Sequence, residues 1–334
     1  MAFKPKDKYR IAIIGATGMV GRTFLTVLEE SNLPIDHLRL VASPRSIGIP
    51  LTFKNKIYLV ESLTPEIFKE VDIAFFCAGR EISEIYALLA SNDTLVIDNT
   101  SAYRMKEDVP LVIPEVNMND IGNSSLISNP NCSTIPGVMV LKALDDAFNV
   151  KKVNYATYQA VSGSGHKGVI DLQNTEKGLD ASYYPYNISL TCIPEIGNFL
   201  PNGYTIEEEK MINETRKILH KPYLPVSATC IRVPVLYCHG VIIQVDLEKS
   251  FNLNEVKTII EYFPGLKLLD DGPNHLYPTS VVATNTDFVY VGRIRIDKSS
   301  ENGLLIYVVG DNLRRGAATN ALKIVELLHQ KSQK

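Results

Sequence analysis

The segment Ile11-Ala12-Ile13-Ile14-Gly15-Ala16-Thr17-Gly18-Met19-Val20-Gly21 narrows the architecture of this chain more than any other. An apolar run enters three regularly spaced glycines and then an amphipathic stretch, which is the order strand, tight turn, helix. Each glycine has its own task in a dinucleotide site. Gly15 permits the turn, Gly18 lets a diphosphate approach the backbone, and Gly21 lets the helix lie against the strand. The helix start, with Thr17, Met19 and Val20 around it, offers N–H groups to phosphate. The spacing is G-x-x-G-x-x-G rather than G-x-G-x-x-G, so a packing turn without nucleotide remains the competing reading.

The chain on either side of this loop extends the pattern. Tyr9 to Ile14, Leu38 to Ala42, Ile57 to Val60, Ile73 to Cys77 and Leu95 to Ile97 read as strands, and helical stretches fall at Val20 to Glu29, Thr64 to Glu70 and Ile82 to Ala90. Such alternation predicts right-handed crossovers and a parallel sheet covered on both faces. After a helix running to about Phe148, long β-rich segments (Val153 to Val161, Ala228 to Val235, Val241 to Glu248, Phe288 to Arg295) mix with helices at Lys167 to Lys177, Ile206 to His220 and Asn254 to Tyr262. The expected fold is therefore α/β: a Rossmann-type doubly wound parallel sheet domain plus an α+β catalytic and dimerisation domain. At 334 residues two domains are the ordinary expectation. The boundaries are set at 1–131 with 305–334 for the nucleotide-binding domain and 132–304 for the other. A broad sheet face rich in Val, Ile and Tyr would suit a dimer interface.

A net charge of -3 and a charged content of 21% exclude a polycation that binds nucleic acid or membranes through bulk charge. The polar opening Met1 to Lys8 lacks a signal-peptide core, and no apolar run reaches the length of a membrane span, so the cytoplasm is expected. Five cysteines without a C-x-x-C pair suit a reducing compartment and give no zinc pattern, so no metal is expected.

Among those cysteines Cys132 stands apart. Asn129-Pro130-Asn131-Cys132-Ser133-Thr134 places it at a polar turn before the helical run from Ile135, where unpaired N–H groups and the positive dipole end favour a thiolate. A buried structural cysteine beside a turn is the alternative. Tyr158-Gln159-Ala160-Val161-Ser162-Gly163-Ser164-Gly165 ends a strand in a Gly/Ser turn that invites backbone contact with a ligand, and Gln159 can hold a carbonyl or a nucleophile. Arg232 stands within an apolar strand and requires an anionic partner. His239 follows it where that strand meets Gly240. At odd spacing the two fall on opposite faces unless Pro234 or a bulge re-aims them. Glu207 and Lys210, at i,i+3 on a helix, read as a modest surface ion pair. Arg104 lies in the loop after Val96-Ile97-Asp98, and the carboxyl ends of parallel strands are where such sheets bind ligands.

Cofactor choice is written about 20 residues past the glycine loop, where an NAD site places a carboxylate for the ribose hydroxyl. Val41-Ala42-Ser43-Pro44-Arg45-Ser46 has none there. Arg45 between Ser43 and Ser46 is the composition for a 2′-phosphate, which favours NADP, with a solvated loop charge as the alternative.

Taken together these segments resemble an aspartate-semialdehyde dehydrogenase, with Tyr290 to Arg295 and Asp311 to Ala318 adding to the match over nearly the whole chain. The resemblance implies that Cys132 is the nucleophile, His239 the acid/base and Gln159 its orienting neighbour. It implies that Arg232 grips a carboxylate, Glu207 an amino group, and Arg104 with Lys210 a phosphate, with Asn131 beside them. Ser162, Gly163 and Asn312 would contact NADP, with Asp311 and Asn312 returning toward the nicotinamide side, and the last helix would pack back on the first domain. A small-molecule substrate, phosphate as co-substrate, and a homodimer or homotetramer follow from the same likeness. The nearest rival is an N-acetyl-glutamyl-phosphate reductase, whose substrate has no free amino group. A regulatory protein that keeps the fold without catalysis is the third reading.

Overall fold

The structure, a computed structural model, describes residues 3–332. The chain forms two compact units, one made of the residues up to Pro130 with those from Ala317 onward, the other of Asn131–Gly316.

In the first unit the strands are β1 (Tyr9–Ile14), β2 (Ile35–Ala42), β3 (Pro50–Phe53), β4 (Lys56–Leu59), β5 (Glu61–Ser62), β6 (Ile73–Phe76), β7 (Leu95–Asp98) and β8 (Leu126–Ser128). Six of them form a sheet in the order β5-β2-β1-β6-β7-β8, parallel throughout. Its helices are α1 (Met19–Glu30), α2 (Arg80–Ala90) and the short α3 (Pro114–Asn117). The apolar runs alternate between two faces, as the period of a strand requires. Ile11, Ile13, Leu38, Leu40, Ile73 and Phe75 join a core with Phe24 and Leu28 of α1. Ala12, Ile14, Val41, Ala74 and Phe76 face the other way, toward Ala87 and Ala90 of α2.

The second unit contains α4 (Thr134–Phe148), β9 (Val150–Gln159), α5 (Gly165–Glu176), α6 (Ile206–Ile218), β10 (Val226–Arg232), β11 (His239–Leu247), α7 (Leu253–Tyr262), β12 (Leu266–Leu268), α8 (Ser280–Ala283), β13 (Val289–Ile296) and β14 (Gly303–Gly310). Its mixed sheet runs β10-β9-β11-β14-β13-β12. Every residue of α4 from Thr134 to Leu141 is buried, so the helix that starts just after Cys132 is the centre of this unit. On the opposite face of the sheet, the row Thr229, Ala156, Ile242 and Tyr307 is exposed or half-buried.

The last helix, α9 (Thr319–Ser332), returns to the first unit. Ala321, Leu322, Ile324 and Val325 enter the same core as α1, as the resemblance implies. Three sequence expectations need correction. Ile57 to Val60 is not a strand of the parallel sheet: β4 pairs antiparallel with β3 in a separate hairpin turned by Lys54 and Asn55, both left-handed. Thr64 to Glu70 forms a 3-10 turn after Pro65 rather than an α-helix. The return to the first unit does not begin at residue 305, because β14 is held between β11 and β13 in the second sheet. The apolar run of β14 reads the same in either sheet, so its pattern does not tell which of the two it belongs to.

Candidate active site

The second sheet brings three polar residues into one row. In the parallel pair β10–β9, Arg232 stands opposite Gln159, and in the antiparallel pair β9–β11, His239 stands opposite the same Gln159. Residues in register point to the same face, so the odd spacing of Arg232 and His239 does not place them on opposite sides. The strand read from Ala228 to Val235 in fact ends at Arg232, and the loop through Pro234 carries the chain across β9 to start a new strand at His239. All three are buried, with exposures of 4%, 1% and 0%.

Glu207 closes the row from the helix side. Thr205 and Glu208 form a reciprocal cap that starts α6, and this fixes Glu207 in the first turn, facing inward. Its Oε1 accepts hydrogen bonds from Gln159 Nε2 at 3.1 Å and from Asn131 Nδ2 at 2.8 Å, and its Oε2 accepts from Lys210 Nζ at 3.1 Å. The Glu207–Lys210 pair is thus not the surface contact its spacing suggests, since the Glu207 side chain is only 8% exposed. Burial alone would raise the Glu207 pKa. The Lys210 charge and the bonds from Asn131, Gln159 and Lys210 outweigh it and hold the carboxyl at about 2. Gln159 is oriented in turn by Thr157, whose hydroxyl donates to Gln159 Oε1 at 3.0 Å.

Asn131 links this cluster to the thiol. Its backbone N–H donates to Glu214 Oε2 at 2.7 Å, its Oδ1 accepts from the Ser133 N–H at 2.7 Å, and its carbonyl accepts from Ile135 at 3.1 Å. With Nδ2 on Glu207, each polar group of Asn131 is engaged within the protein. Cys132 is the next residue, half-buried, two positions before the first residue of α4. Behind it lies Gly316: a Cβ there would stand 2.8 Å from Cys132 Cβ and 3.1 Å from its Cα.

His239 is neutral. Burial first and the Arg232 charge second push its pKa down to about 3, with Glu207 opposing. The Ala160 N–H donates to Nδ1 at 3.0 Å, so the neutral ring carries its proton on Nε2, which is buried and has no hydrogen-bond partner among the described residues. Gly163 borders this nitrogen, since a Cβ on it would approach Arg232 Nη1 to 2.9 Å and His239 Nε2 to 3.1 Å. Arg232 Nη1 donates to the Ala160 carbonyl at 2.6 Å. Ser162 and Asn312 are joined, Nδ2 donating to the hydroxyl at 3.0 Å, and Asn312 Oδ1 accepts the N–H of Cys238 at 2.9 Å. Cys238 is left-handed (φ 72°), so this bond fixes the residue from which His239 enters its strand.

The first unit carries the other candidates. Gly15 has φ 93°, and a Cβ at Gly21 would stand 2.3 Å from the Gly15 carbonyl, so turn and close packing both require glycine. A cavity of about 520 Å³ opens beside this loop, lined by Gly15, Thr17, Gly18, Ser43 and Pro44 among others. Met19 and Val20 form the first turn of α1. Arg45 is exposed in the 3-10 turn Pro44–Ser46, and Thr17 Oγ1 donates to Ser46 Oγ at 3.4 Å. The cradle, the helix N-terminus and the nearby guanidinium fit a dinucleotide carrying a 2′-phosphate. Arg104 is buried and donates to the Asn99 carbonyl at 2.8 Å. Its loop is fixed by Asp98, which accepts from Ser83 and Thr100.

Sequence reasoning missed Glu214, Thr157 and Gly316. Glu214 was legible only as a second glutamate on the Glu207 face of a helix, seven residues on. Thr157 alternates with Gln159 on one strand face, and nothing in a single sequence separates it from an ordinary β-branched core residue.

Residues 10–124 match the family described as semialdehyde dehydrogenase, NAD binding domain, and residues 141–315 match the semialdehyde dehydrogenase dimerisation domain. The aspartate-semialdehyde dehydrogenase of Aquifex aeolicus is 48% identical over 332 residues, covering 96% of this chain and 98% of that one. The chain belongs to the aspartate-semialdehyde dehydrogenase family. Aspartate-semialdehyde dehydrogenase II from Vibrio cholerae, solved in complex with ASA, superposes with a TM-score of 0.93 at 40% identity, over 97% of this chain and 99% of that one. A more distant aspartate-semialdehyde dehydrogenase, from Candida albicans and solved with NADP, gives 0.78 at 25% identity over 96% and 98%.

Proposed function

We propose that the chain catalyses the NADPH-dependent reductive dephosphorylation of β-aspartyl phosphate to aspartate β-semialdehyde, a step of amino-acid biosynthesis. One observation carries this reading: Arg232, Gln159 and His239 share a row, and Glu207 ties that row through Asn131 to the cysteine at the start of α4. The Cys132 thiolate attacks the acyl carbon, the bond to the phosphate oxygen breaks, and a thioester remains. NADPH, when bound, supplies the hydride that takes the thioester to the aldehyde level. His239 presents its Nε2 proton to the carbonyl oxygen as negative charge builds there, and as the carbonyl re-forms the C–S bond breaks, which frees the aldehyde and returns Cys132 as the thiolate with the proton kept on Nε2. Arg232 pairs with the α-carboxylate, Glu207 with the ammonium, and Arg104 with Lys210 with the phosphate. A thiol suits the task because a thioester accepts hydride more readily than an oxygen ester.

Gly15, Thr17, Gly18, Met19, Val20 and Gly21 would hold the diphosphate, Ser43, Arg45 and Ser46 the 2′-phosphate, and Ser162, Gly163 and Asn312 the nicotinamide side. We assign the half-exposed row around Ile242 to a homodimer interface, in line with the match to a dimerisation domain, and the cytoplasm as compartment. Among the described residues no helix is long and apolar enough to cross a membrane.

The rival acetylated substrate leaves the buried Glu207 carboxylate without an ammonium. Purified protein given aspartate semialdehyde, phosphate and NADP should form NADPH in a phosphate-dependent way. N-acetylglutamate semialdehyde in parallel should not. Activity with the acetylated substrate alone would keep the thioester chemistry and overturn the Glu207 assignment. Cys132→Ala should abolish turnover while NADP binding survives, and its loss in that variant would undo the separation of roles.

A further inference from the structure

We infer that Glu214 is a positioning residue for the nucleophile: its carboxylate holds the backbone N–H of Asn131 and thereby sets where Cys132 stands at the mouth of α4. The inference rests on the reading of Cys132 as the nucleophile.

Glu214 is 1% exposed. A carboxylate so deeply buried is costly unless hydrogen bonds and charges compensate it, and one such bond is the 2.7 Å contact from the Asn131 N–H. Glu207 and Glu214 are seven residues apart on α6, so they lie on one face of the helix. The same helix therefore grips Asn131 twice, at the backbone through Glu214 and at the side-chain amide through Glu207. Asn131 passes the constraint on, because its Oδ1 accepts from Ser133 just before α4 and its carbonyl from Ile135 within the first turn. Cys132 lies between Asn131 and Ser133 and is backed by Gly316. Its backbone has little room to move so long as Asn131 is held. A nucleophile displaced by about 1 Å loses on the order of 10²-fold in rate, so a bond that fixes the preceding peptide has a catalytic consequence without touching substrate.

Three substitutions separate position from charge. Glu214→Gln keeps an oxygen at the same reach and removes the charge. Glu214→Asp keeps the charge and withdraws the oxygen by one methylene. Glu214→Ala removes both. The readouts are kcat with aspartate semialdehyde and the rate of Cys132 alkylation by iodoacetamide across pH, the second being independent of which substrate the enzyme takes. Positioning predicts that Gln retains kcat within about tenfold, whereas Asp and Ala lose about 10²-fold. It also predicts that the pH midpoint of alkylation in the Gln variant stays where it is in the parent. Melting temperature identifies any variant that fails to fold, and the Gln and Asp pair decides the matter without Ala. Should Asp misfold as well, protection of the Asn131 amide from hydrogen exchange in the parent protein decides it, and an unprotected amide overturns the assignment. The reverse order, Asp near the parent and Gln inactive, would mean that charge and not position matters, and would overturn it too. So would variants that all match the parent. A parent protein that alkylates but turns over neither semialdehyde would fault the proposed function instead.

Discussion

Glu207 shows how much a single buried carboxylate is asked to do. The Lys210 charge and hydrogen bonds from Asn131, Gln159 and Lys210 hold it ionised against the upward push of burial, moving its pKa from 4.5 to about 2. Between those values the unfolded chain carries a proton that the folded chain lacks, so this contribution is fully present above about pH 4.5 and is lost as the pH falls toward 2. It amounts to about 3 kcal/mol. Urea unfolding from pH 5 to 2.5 should therefore show a steeper loss of stability in the parent than in Glu207→Gln, and equal slopes would mean that the carboxyl is not held as described. The same substitution should raise KM for the amino-bearing substrate by roughly 10- to 100-fold, the usual range for a hydrogen bond between charged groups, with a smaller effect on kcat. Gly163 makes a complementary case. Alanine there would put a methyl 2.9 Å from Arg232 Nη1 and 3.1 Å from His239 Nε2, closing the approach to the one imidazole nitrogen that carries a proton. A loss of about 10²-fold in kcat/KM is expected. Unchanged kinetics would show that both side chains yield freely.

At the scale of elements, the site depends on where strands and helices begin. The turn that starts at Arg314 lies against the entry to α4, and Gly316 is where the two backbones meet. Gly316→Ala should push Cys132 off its place, since the added carbon would overlap both Cα and Cβ of the cysteine. Turnover should fall by about 10²-fold or more while NADP binding through the glycine loop between β1 and α1 persists. A variant with normal turnover would place the tolerance in the backbone around Gly316. Which elements exist was largely readable from the chain. Strand and helix runs with clear periods, such as β1, α1, β6 and α2, stand where the pattern puts them, and the glycine loop sits between β1 and α1. Pairing was harder to read. The spacing of Arg232 and His239 suggested opposite faces only because the loop between them reads as a continuous strand, and β4 reads as a sheet strand because a hairpin has the same alternation. Burial was harder still. Glu207 and Lys210 at i,i+3 look like any surface pair, and only the packing of α6 against β10 and α4 buries Glu207.

For the whole molecule, the proposed homodimer rests on the face of the second sheet that α4 does not cover. In the single chain, Ala156, Ile242 and Tyr307 stand in one cross-strand row with Thr229 at its edge, partly exposed although three of the four are apolar or aromatic. A flat row of this kind on adjacent strands of one sheet suits burial against a second copy, because a two-fold axis brings the same row to meet itself. The opposite face of those strands carries Gln159 and His239, so an interface here would stiffen the sheet that aligns the site without supplying any residue to it. Ile242→Lys places a charge in the middle of the row. In a closed interface it meets its own copy across the axis, desolvated and like-charged, at a cost of about several kcal/mol per ion, enough to separate the subunits. Light scattering coupled to size exclusion should then give half the parent mass at equal concentration. The melting temperature should fall with it if the sheet depends on its partner. A parent and variant of identical mass would move the interface to another surface, and a parent twice the mass of a dimer would add a second interface to this one.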